Sequence, residues 1–205
     1  GGRSARGVDQ TGGKPVMTDT ATTSEAPSGY FVARQNLLTP PLNAKKLTLR
    51  EVRHAGWALA GNPNDLSIYG MRPLLWYPLG IRILGRTAVE LTRDLHASFV
   101  ATQVAKTLAQ KGFRISDVID PFAGSGNLLF HMLRATKARR GIGFDLGDVS
   151  DLTQRNFARL RWTGRLGLTD VALHKQDWSH SADHLQGRPT VVLISPPWGP
   201  ALTPG

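Results

Sequence analysis

The sequence predicts an α/β fold built around a parallel β-sheet. From residue 114 onward, short apolar segments typical of strands alternate with longer amphipathic segments typical of helices. The apolar segments are continuous, as in residues 191–194 (VVLI), which is typical of strands buried on both faces. A glycine-rich loop, residues 120–127 (DPFAGSGN), joins the first strand to the helix after it. The 205 residues, 40% of them hydrophobic, suffice for one domain with a buried core.

The first half of the chain is predicted to divide into a disordered tail and a mainly helical accessory region. Residues 1–28 are rich in Gly, Ser, Thr and Ala and cannot form much core, so we expect disorder there. Residues 29–113 form the accessory region. Its first helix pattern, residues 47–61, starts with Thr48 as N-cap and stops at Gly61.

A second helix is predicted at residues 92–112, with one side formed by Leu95, Phe99, Val100 and Val104. Residues 114–205 are predicted to form the sheet region. Four strands are expected at residues 115–120, 140–145, 170–178 and 190–195, and two helices at residues 126–138 and 149–164. Because strands and helices alternate, the strands should be parallel and joined by right-handed crossovers.

The composition restricts the class of function. There is no cysteine, which excludes disulfides, thiolate metal sites and a cysteine nucleophile. No apolar segment approaches the length of a membrane span and no signal-peptide pattern opens the chain, so we expect a cytoplasmic protein without a membrane partner. The formal net charge of +10 favours a polyanionic partner, most simply nucleic acid. The basic residues in 134–140 and 155–165 either bind phosphates or form solvated outer helix faces.

The glycine loop follows a strand and opens a helix, which is where nucleotide-binding α/β folds hold their ligands. Gly124 and Gly126 permit a tight turn and the close approach of a ligand to the backbone. The loop lacks the Gly-Lys-Ser/Thr of a P-loop, and Leu129 stands where a dinucleotide fingerprint has its third glycine. With Asp120 at its start, the loop suits a cation better than a phosphate.

Acidic residues follow the next two strands. Asp145 ends the second predicted strand, where a carboxylate binds ribose hydroxyls in dinucleotide sites. Asp177 and Trp178 end the third, where an acid can accept from an adenine amino group and an apolar neighbour can cover the ring. Since these positions fall on one edge of a parallel sheet, we expect them to surround one ligand.

Three segments in this order resemble motifs I, II and IV of the class I S-adenosylmethionine-dependent methyltransferases. They are DPFAGSGN (residues 120–127), GFD (143–145) and SPPW (195–198). The closest resemblance is to enzymes that methylate exocyclic amino groups of nucleobases, and it covers roughly residues 92–200. It implies a Rossmann-like methyltransferase sheet with helices on both faces.

The resemblance also implies S-adenosyl-L-methionine as cofactor. Its methionine part would lie against the glycine loop, namely Asp120, Pro121, Phe122, Ala123, Gly124, Ser125, Gly126 and Asn127. Its ribose would bind Asp145, followed by Leu146, and its adenine would lie between Asp177 and Trp178. A looser match, HASFVAT, places Phe99 and Thr102 near the cofactor.

The segment SPPW suits an amino acceptor on a base. An exocyclic amine is a poor nucleophile because its lone pair is delocalised into the ring. The Ser195 hydroxyl and the Pro196 carbonyl can accept its hydrogens, while Pro196 and Pro197 hold this geometry rigidly. Trp198 offers a flat face for the base, and such stacking contributes about 1–3 kcal/mol.

Serine at position 195 departs from the Asp or Asn that is commoner in this family. It resembles the cytosine-N4 group and the trimethylguanosine synthases, whose Ser-Pro-Pro-Trp-Gly-Gly-Pro is close to the SPPWGP of this chain. RNA is therefore slightly favoured over DNA as the acceptor. A small-molecule methyltransferase and a non-catalytic module with this fold remain alternatives.

The resemblance implies seven strands, three of them after SPPW, where only residues 201–205 follow Pro200. The strand ending at Ser195 is therefore expected to form an exposed apolar edge. Strands from residues 66–70 or 76–84 could cover it, a second chain could do so, or the fold is a shortened methyltransferase, which we favour. His180 and His184 have a metal-binding spacing, but the segment is predicted to be a loop without a third ligand, so no metal site is expected.

Overall fold

The computed structural model describes residues 28–167, 169–185 and 187–196. The tail predicted to be disordered lies outside the described residues except for Ser28, and so do Pro197 and Trp198. Five helices precede the sheet: α1 Ser28–Leu38, α2 Leu49–Ala60, α3 Pro73–Trp76, α4 Gly85–Glu90 and α5 Asp94–Gln110. The described part of the first half is therefore mainly helical.

The ends of α2 are those predicted from the sequence. The Thr48 hydroxyl accepts a hydrogen bond from the Glu51 amide at 3.3 Å, and the Glu51 carboxylate accepts one from the Thr48 amide at 2.8 Å. This reciprocal pair forms a capping box, which satisfies two amides that a helix start leaves unpaired. Gly61 ends the helix with φ of 68°, a left-handed conformation that favours glycine.

The second half forms the predicted parallel sheet. Its strands are β1 Asp117–Asp120, β2 Arg140–Phe144, β3 Asp170–His174 and β4 Thr190–Val192, in the spatial order β3-β2-β1-β4. Helices α6 Asn127–Thr136 and α7 Val149–Trp162 connect β1 to β2 and β2 to β3, and a 3₁₀ helix, Trp178–His184, stands between β3 and β4. The third strand is therefore shorter than predicted, and the segment with His180 and His184 is a 3₁₀ helix rather than a loop.

The two faces of the sheet are packed differently. One face, with Val118 and Val171, packs in the main core against α6 and α7 through residues such as Leu133 and Leu160. The other face carries a separate cluster of Ile119, Ile142 and Phe144. The ring of Phe144 lies 5.4 Å from that of His184 in the 3₁₀ helix. The methyltransferase resemblance implies helices on both faces, whereas α6 and α7 lie on the same face because two successive right-handed crossovers run in one direction.

Among the described residues, strand β4 forms one edge of the sheet, as predicted, with Val192 facing solvent and Val191 packed against the main core. Val192 is 41% exposed and Ile194, just beyond the strand, is 78% exposed. Within the described residues, the first half of the chain does not add a strand to this edge. Residues 66–70 instead enter a tight turn in which Ile68 and Met71 exchange two backbone hydrogen bonds of 3.0 Å.

The face of α5 that packs against the protein is not the one predicted. Ala97 and Ala101 are buried, whereas Leu95 is 77% and Phe99 is 64% exposed. Nine residues at 3.6 per turn are two and a half turns, so Leu95 and Val104 lie on opposite sides of the helix. Val104 packs against the main core, next to α6. Small residues on the packed side let α5 and α6 approach closely, and the larger side chains point outward.

Residues from both halves of the chain share the main core. It includes Tyr69, Trp76 and Ile81 from the first half together with Val118 and Phe130 from the second. The boundary predicted between residues 113 and 114 falls in the connection between α5 and β1. No helix in the described part of the chain combines the length and apolar character needed to cross a bilayer.

Gly85 at the start of α4 is required by packing. A Cβ atom there would lie 2.1 Å from the carbonyl oxygen of Leu42, a backbone atom that cannot rotate away. We expect Gly85→Ala to lower the free energy of unfolding by about 1–3 kcal/mol or more, as overpacking does. The measurement is urea unfolding followed by circular dichroism.

Gly29 in α1 is the matched control for this substitution. A Cβ atom at Gly29 would meet nothing within 4 Å. Gly29→Ala should therefore stabilise the helix by about 0.5–1 kcal/mol. The two substitutions should change the free energy of unfolding in opposite directions, although not by equal amounts. A Gly85→Ala protein as stable as the wild type would contradict the close packing of Gly85 against Leu42.

Candidate functional site

The carboxyl edge of the sheet gathers the segments that the sequence identifies. Because all four strands are parallel, the residues that follow them lie along one edge. Asp120 ends β1, Asp145 follows β2, Asp177 comes three residues after β3, and Ser195 three residues after β4. Burial raises the pKa of Asp120, and the Asp145 charge adds to this in the same direction, as expected of two carboxylates at one edge of the sheet.

The two glycines of the loop have different roles. Both are left-handed, with φ of 47° at Gly124 and 69° at Gly126. A Cβ atom on Gly126 would lie 2.5 Å from the Phe157 ring and 2.9 Å from Thr153 Cγ2, so this glycine permits α7 to pack against the loop. A Cβ atom on Gly124 would meet only the Phe122 carbonyl oxygen, at 4.0 Å. Gly124 therefore faces open space that a ligand can enter.

Hydrogen bonds from three other elements hold the loop. The Ala123 amide donates to the Phe144 carbonyl of β2 at 2.9 Å. The Thr153 hydroxyl of α7 donates to the Gly124 carbonyl at 2.7 Å. The Tyr69 hydroxyl, from the first half of the chain, donates to the Ser125 carbonyl. The loop is fixed before any ligand binds, which lowers the entropic cost of binding.

Most side chains of the loop point inward. Within residues 120–127, only Phe122 and Gly124 are not buried. Asn127 is 1% exposed, accepts from the Tyr69 amide at 2.6 Å and donates to the Thr92 carbonyl at 2.7 Å. Asn127 therefore holds the loop to the first half of the chain, and direct ligand contacts fall to Phe122, Gly124 and the loop backbone.

Asp120 is a buried acid at the base of the loop. It is 2% exposed, and its Oδ1 atom accepts one hydrogen bond, from the Phe122 amide at 3.1 Å. Burial raises its pKa to about 7, and the neighbouring Asp145 charge acts in the same direction. Asp120 thus exchanges its proton near neutral pH, and a cation bound beside it would favour the ionised form.

Asp145 is half-buried and retains an available oxygen. Its Oδ1 atom accepts from the Gly147 amide at 2.8 Å, which orients the carboxylate. The Oδ2 atom has no hydrogen-bond partner in the described part of the chain. Next to it, Leu146 is 67% exposed. The carboxylate is therefore oriented by one contact and open to a second donor such as a hydroxyl.

Asp177 and Trp178 lie where β3 leads into the 3₁₀ helix. Asp177 is partly exposed, and its Oδ1 atom caps this helix by accepting from the Ser179 amide at 2.9 Å. Hydrogen bonding to the Ser179 side chain, and then to its amide, lowers the pKa of Asp177. Trp178 is 56% exposed, and its ring centroid lies 6.1 Å from that of Phe122 at an interplanar angle of 33°. The structure therefore brings the predicted adenine segment against the glycine loop.

The remaining predicted residues lie further from the loop. Phe99 and Thr102 are exposed on α5. The first residue of α6, Asn127, is contacted by the Thr92 carbonyl rather than by either of them. Ser195 and Pro196 are exposed beyond β4, at the carboxyl edge. The predicted contributions of Pro197 and Trp198 concern residues outside the described ranges.

Sequence reasoning missed two residues around the site. Tyr69 is fully buried with φ of 56° and anchors the loop, and burial raises its pKa. Arg86 forms an ion pair of 2.9 Å with Glu90, and the Asp145 charge also contributes to its raised pKa. The sequence does contain a hint for Tyr69, because a Tyr-Gly pair is typical of a turn. No local pattern around Arg86 indicates its position near the site.

No protein-family model matches the chain, and comparisons with curated proteins and with solved structures gave no significant match. The function of the site therefore has to be inferred from its residues and their geometry.

Proposed function

We propose that this chain is an S-adenosylmethionine-dependent methyltransferase that acts on an exocyclic amino group of a nucleobase. The observation that carries the proposal is the carboxyl edge of the sheet. A fixed glycine loop with an open position at Gly124 lies there with an acid, Asp145, that has a free oxygen. Ligands of open α/β sheets bind at this edge.

The side chains present suit each part of the cofactor. The Asp145 carboxylate can accept from ribose hydroxyls through its Oδ2 atom, a charge-assisted contact. The partly exposed rings of Phe122 and Trp178 offer apolar surface for the adenine. Asp120 can neutralise positive charge near the loop. When bound, the cofactor supplies an activated methyl group.

The protein's contribution to the reaction is to position the acceptor amine. The exposed Ser195 hydroxyl and Pro196 carbonyl lie after β4 and can accept the two amine hydrogens. Holding these hydrogens directs the nitrogen lone pair toward the methyl group and fixes the distance between the reacting atoms. The net charge of +10 favours a nucleic acid over a small molecule as carrier of the base, with RNA slightly favoured over DNA.

Asp145→Ala should weaken binding of S-adenosylmethionine roughly ten- to hundredfold, because a hydrogen bond to a charged group contributes about 1.5–3 kcal/mol. Titration calorimetry of the full chain measures this change. Transfer of labelled methyl groups to RNA or DNA oligonucleotides, measured with the same preparations, should fall in parallel.

Asp170→Ala is the matched control. Asp170 begins β3, at the opposite edge of the sheet, and its carboxylate is exposed and paired with Arg161 at 3.2 Å. Its removal should leave cofactor affinity unchanged. A folded wild-type chain that does not bind S-adenosylmethionine would refute the proposal. Binding that survives Asp145→Ala would refute the role given to Asp145.

A further inference from the structure

A basic groove runs along the outer side of α7, away from the candidate site. It encloses about 470 Å³ between this helix and residues 80–82. Its lining includes four cationic side chains, Lys46, Arg82, Arg155 and Arg159, together with Trp162. Among the residues that the structure describes, no carboxylate lines it. The groove therefore concentrates positive charge in a concave surface.

The groove has a rigid wall. The amide of Arg82 donates to Asn156 Oδ1 at 3.1 Å, and Asn156 Nδ2 donates back to the Arg82 carbonyl at 2.8 Å. The Arg82 guanidinium donates to the carbonyls of Tyr77 and Ile81 and lies 3.7 Å above the Tyr77 ring. Arg82 is thus held in place on one side of the groove and keeps its charge there.

The cations on the opposite wall are available. Arg155 and Arg159 are exposed, and within the described chain their guanidinium groups form no hydrogen bond or ion pair. They are four residues apart on α7, so they point from the same side of the helix, about 6 Å apart along its axis. Gly80 lies close to Arg159, where a Cβ atom would be 3.4 Å from Nε. Two unneutralised guanidinium groups side by side favour binding of phosphates.

Trp162 continues the same side of α7 three residues after Arg159. It is 80% exposed. Trp162 and Ala158 also line a second hollow of about 270 Å³ on the other flank of the helix. An exposed indole between two hollows, next to free guanidinium groups, can stack a base while its phosphates contact the arginines.

We propose that this groove binds single-stranded nucleic acid through its phosphates, with a base stacked on Trp162. A membrane surface is disfavoured because a membrane-binding helix exposes its apolar face, whereas the apolar side of α7, with Leu152, Phe157 and Leu160, is buried. The residues that line the groove are different from those of the candidate cofactor site. It should bind nucleic acid without any cofactor, so its failure and that of the methyltransferase proposal are distinguishable.

Fluorescence anisotropy of the full chain with a labelled single-stranded RNA tests the proposal, in the absence of S-adenosylmethionine. The double variant Arg155→Ala/Arg159→Ala should weaken binding about tenfold or more and reduce the salt slope by roughly 1.4, since each phosphate contact on a single strand contributes about 0.7. Trp162→Ala should weaken binding about five- to hundredfold with the salt slope unchanged, because stacking carries no charge.

Lys106→Ala/Lys111→Ala is the matched control. It removes the same charge from exposed positions at the end of α5, which packs on α6. An equal loss of affinity in the control and the groove variants would overturn the proposal, because net charge alone would then explain binding. Binding to anionic phospholipid vesicles but not to oligonucleotides would also overturn it. A single-stranded DNA of the same sequence, measured under the same conditions, shows whether the groove prefers ribose or deoxyribose. Tighter binding of either polymer is consistent with the proposed nucleic-acid groove.

Discussion

Asn127→Ala is expected to lower the free energy of unfolding by roughly 2–5 kcal/mol, because each buried polar group left without a partner costs about 1–3 kcal/mol. The Asn127 side chain is 1% exposed and bonds two backbone groups from the first half of the chain. It accepts from the buried Tyr69 amide at 2.6 Å and donates to the partly buried Thr92 carbonyl at 2.7 Å. Alanine can replace neither bond.

Urea unfolding followed by circular dichroism measures this loss. Asn36→Ala is the matched control, since Asn36 is exposed in α1 and alanine is the better helix former. The control should be as stable as the wild type or slightly more so. The resemblance to methyltransferases implies that Asn127 contacts the cofactor, and in that role its loss would leave stability intact and reduce only ligand affinity. A loss of stability below about 1 kcal/mol would favour that role over the structural one.

The order and type of most elements can be predicted from local sequence. Helix α2 follows from its caps, Thr48 and Gly61. The four strands follow from continuous apolar runs, and their common direction follows from the helices between them. The same rule places Asp120 and Asp145 on one edge. These features depend on residues near each other in the chain, so a single sequence contains them.

Long-range packing could not be predicted in the same way. Tyr69 bonds to Ser125 of the glycine loop, which is 56 residues away in the sequence, and no local pattern predicts that contact. The face of α5 that packs is set by small residues, Ala97 and Ala101, whereas a search for large apolar residues selects Leu95 and Phe99. Apolar size predicts burial only when the neighbouring element leaves room for it.

Burial also separates residues that the sequence groups together. The glycine loop is predicted as one binding segment, yet most of its side chains are buried and only Phe122 and Gly124 are not. Gly126 makes room for Phe157, while Gly124 leaves open space. A motif therefore combines residues that shape a loop with residues that can contact a ligand, and only the folded structure separates the two groups.

Asp120→Asn is expected to stabilise the protein above neutral pH by up to about 4 kcal/mol, since one unit of pKa corresponds to about 1.4 kcal/mol. Burial raises the pKa of Asp120 from 3.8 to about 7. The folded state therefore holds the Asp120 proton more tightly than the unfolded state. Its contribution to stability is fully present below pH 3.8 and is lost as pH rises through about 7. An amide has no such charge and can still accept from the Phe122 amide.

Urea unfolding across this pH range tests the expectation. The difference between Asp120→Asn and the wild type should be small near pH 4, already more than about 1 kcal/mol near pH 5, and largest near pH 8. Asp183→Asn, an exposed acid in the 3₁₀ helix, should show no comparable gain. Equal stability of Asp120→Asn and the wild type at all three pH values would contradict a buried, ionised Asp120.

Asp120→Asn should also reduce the affinity for S-adenosylmethionine. This loss would distinguish a carboxylate that contributes to ligand binding from one that only destabilises the folded protein. If S-adenosylmethionine binds as proposed, its positive charge favours ionised Asp120, so wild-type affinity should rise by up to tenfold per pH unit as pH approaches about 7. The amino group of the ligand stays protonated over this range, because such groups have a pKa near 7.7–8.0. Asp120→Asn should bind S-adenosylmethionine weakly and without this pH dependence.

Calorimetry at pH 5.5 and 7 tests this expectation. A wild-type affinity that does not change between these pH values would mean that the buried charge of Asp120 does not contribute to binding a cationic ligand. A gain in stability together with a loss of binding would mean that the fold retains an unfavourable carboxylate because the ligand requires it.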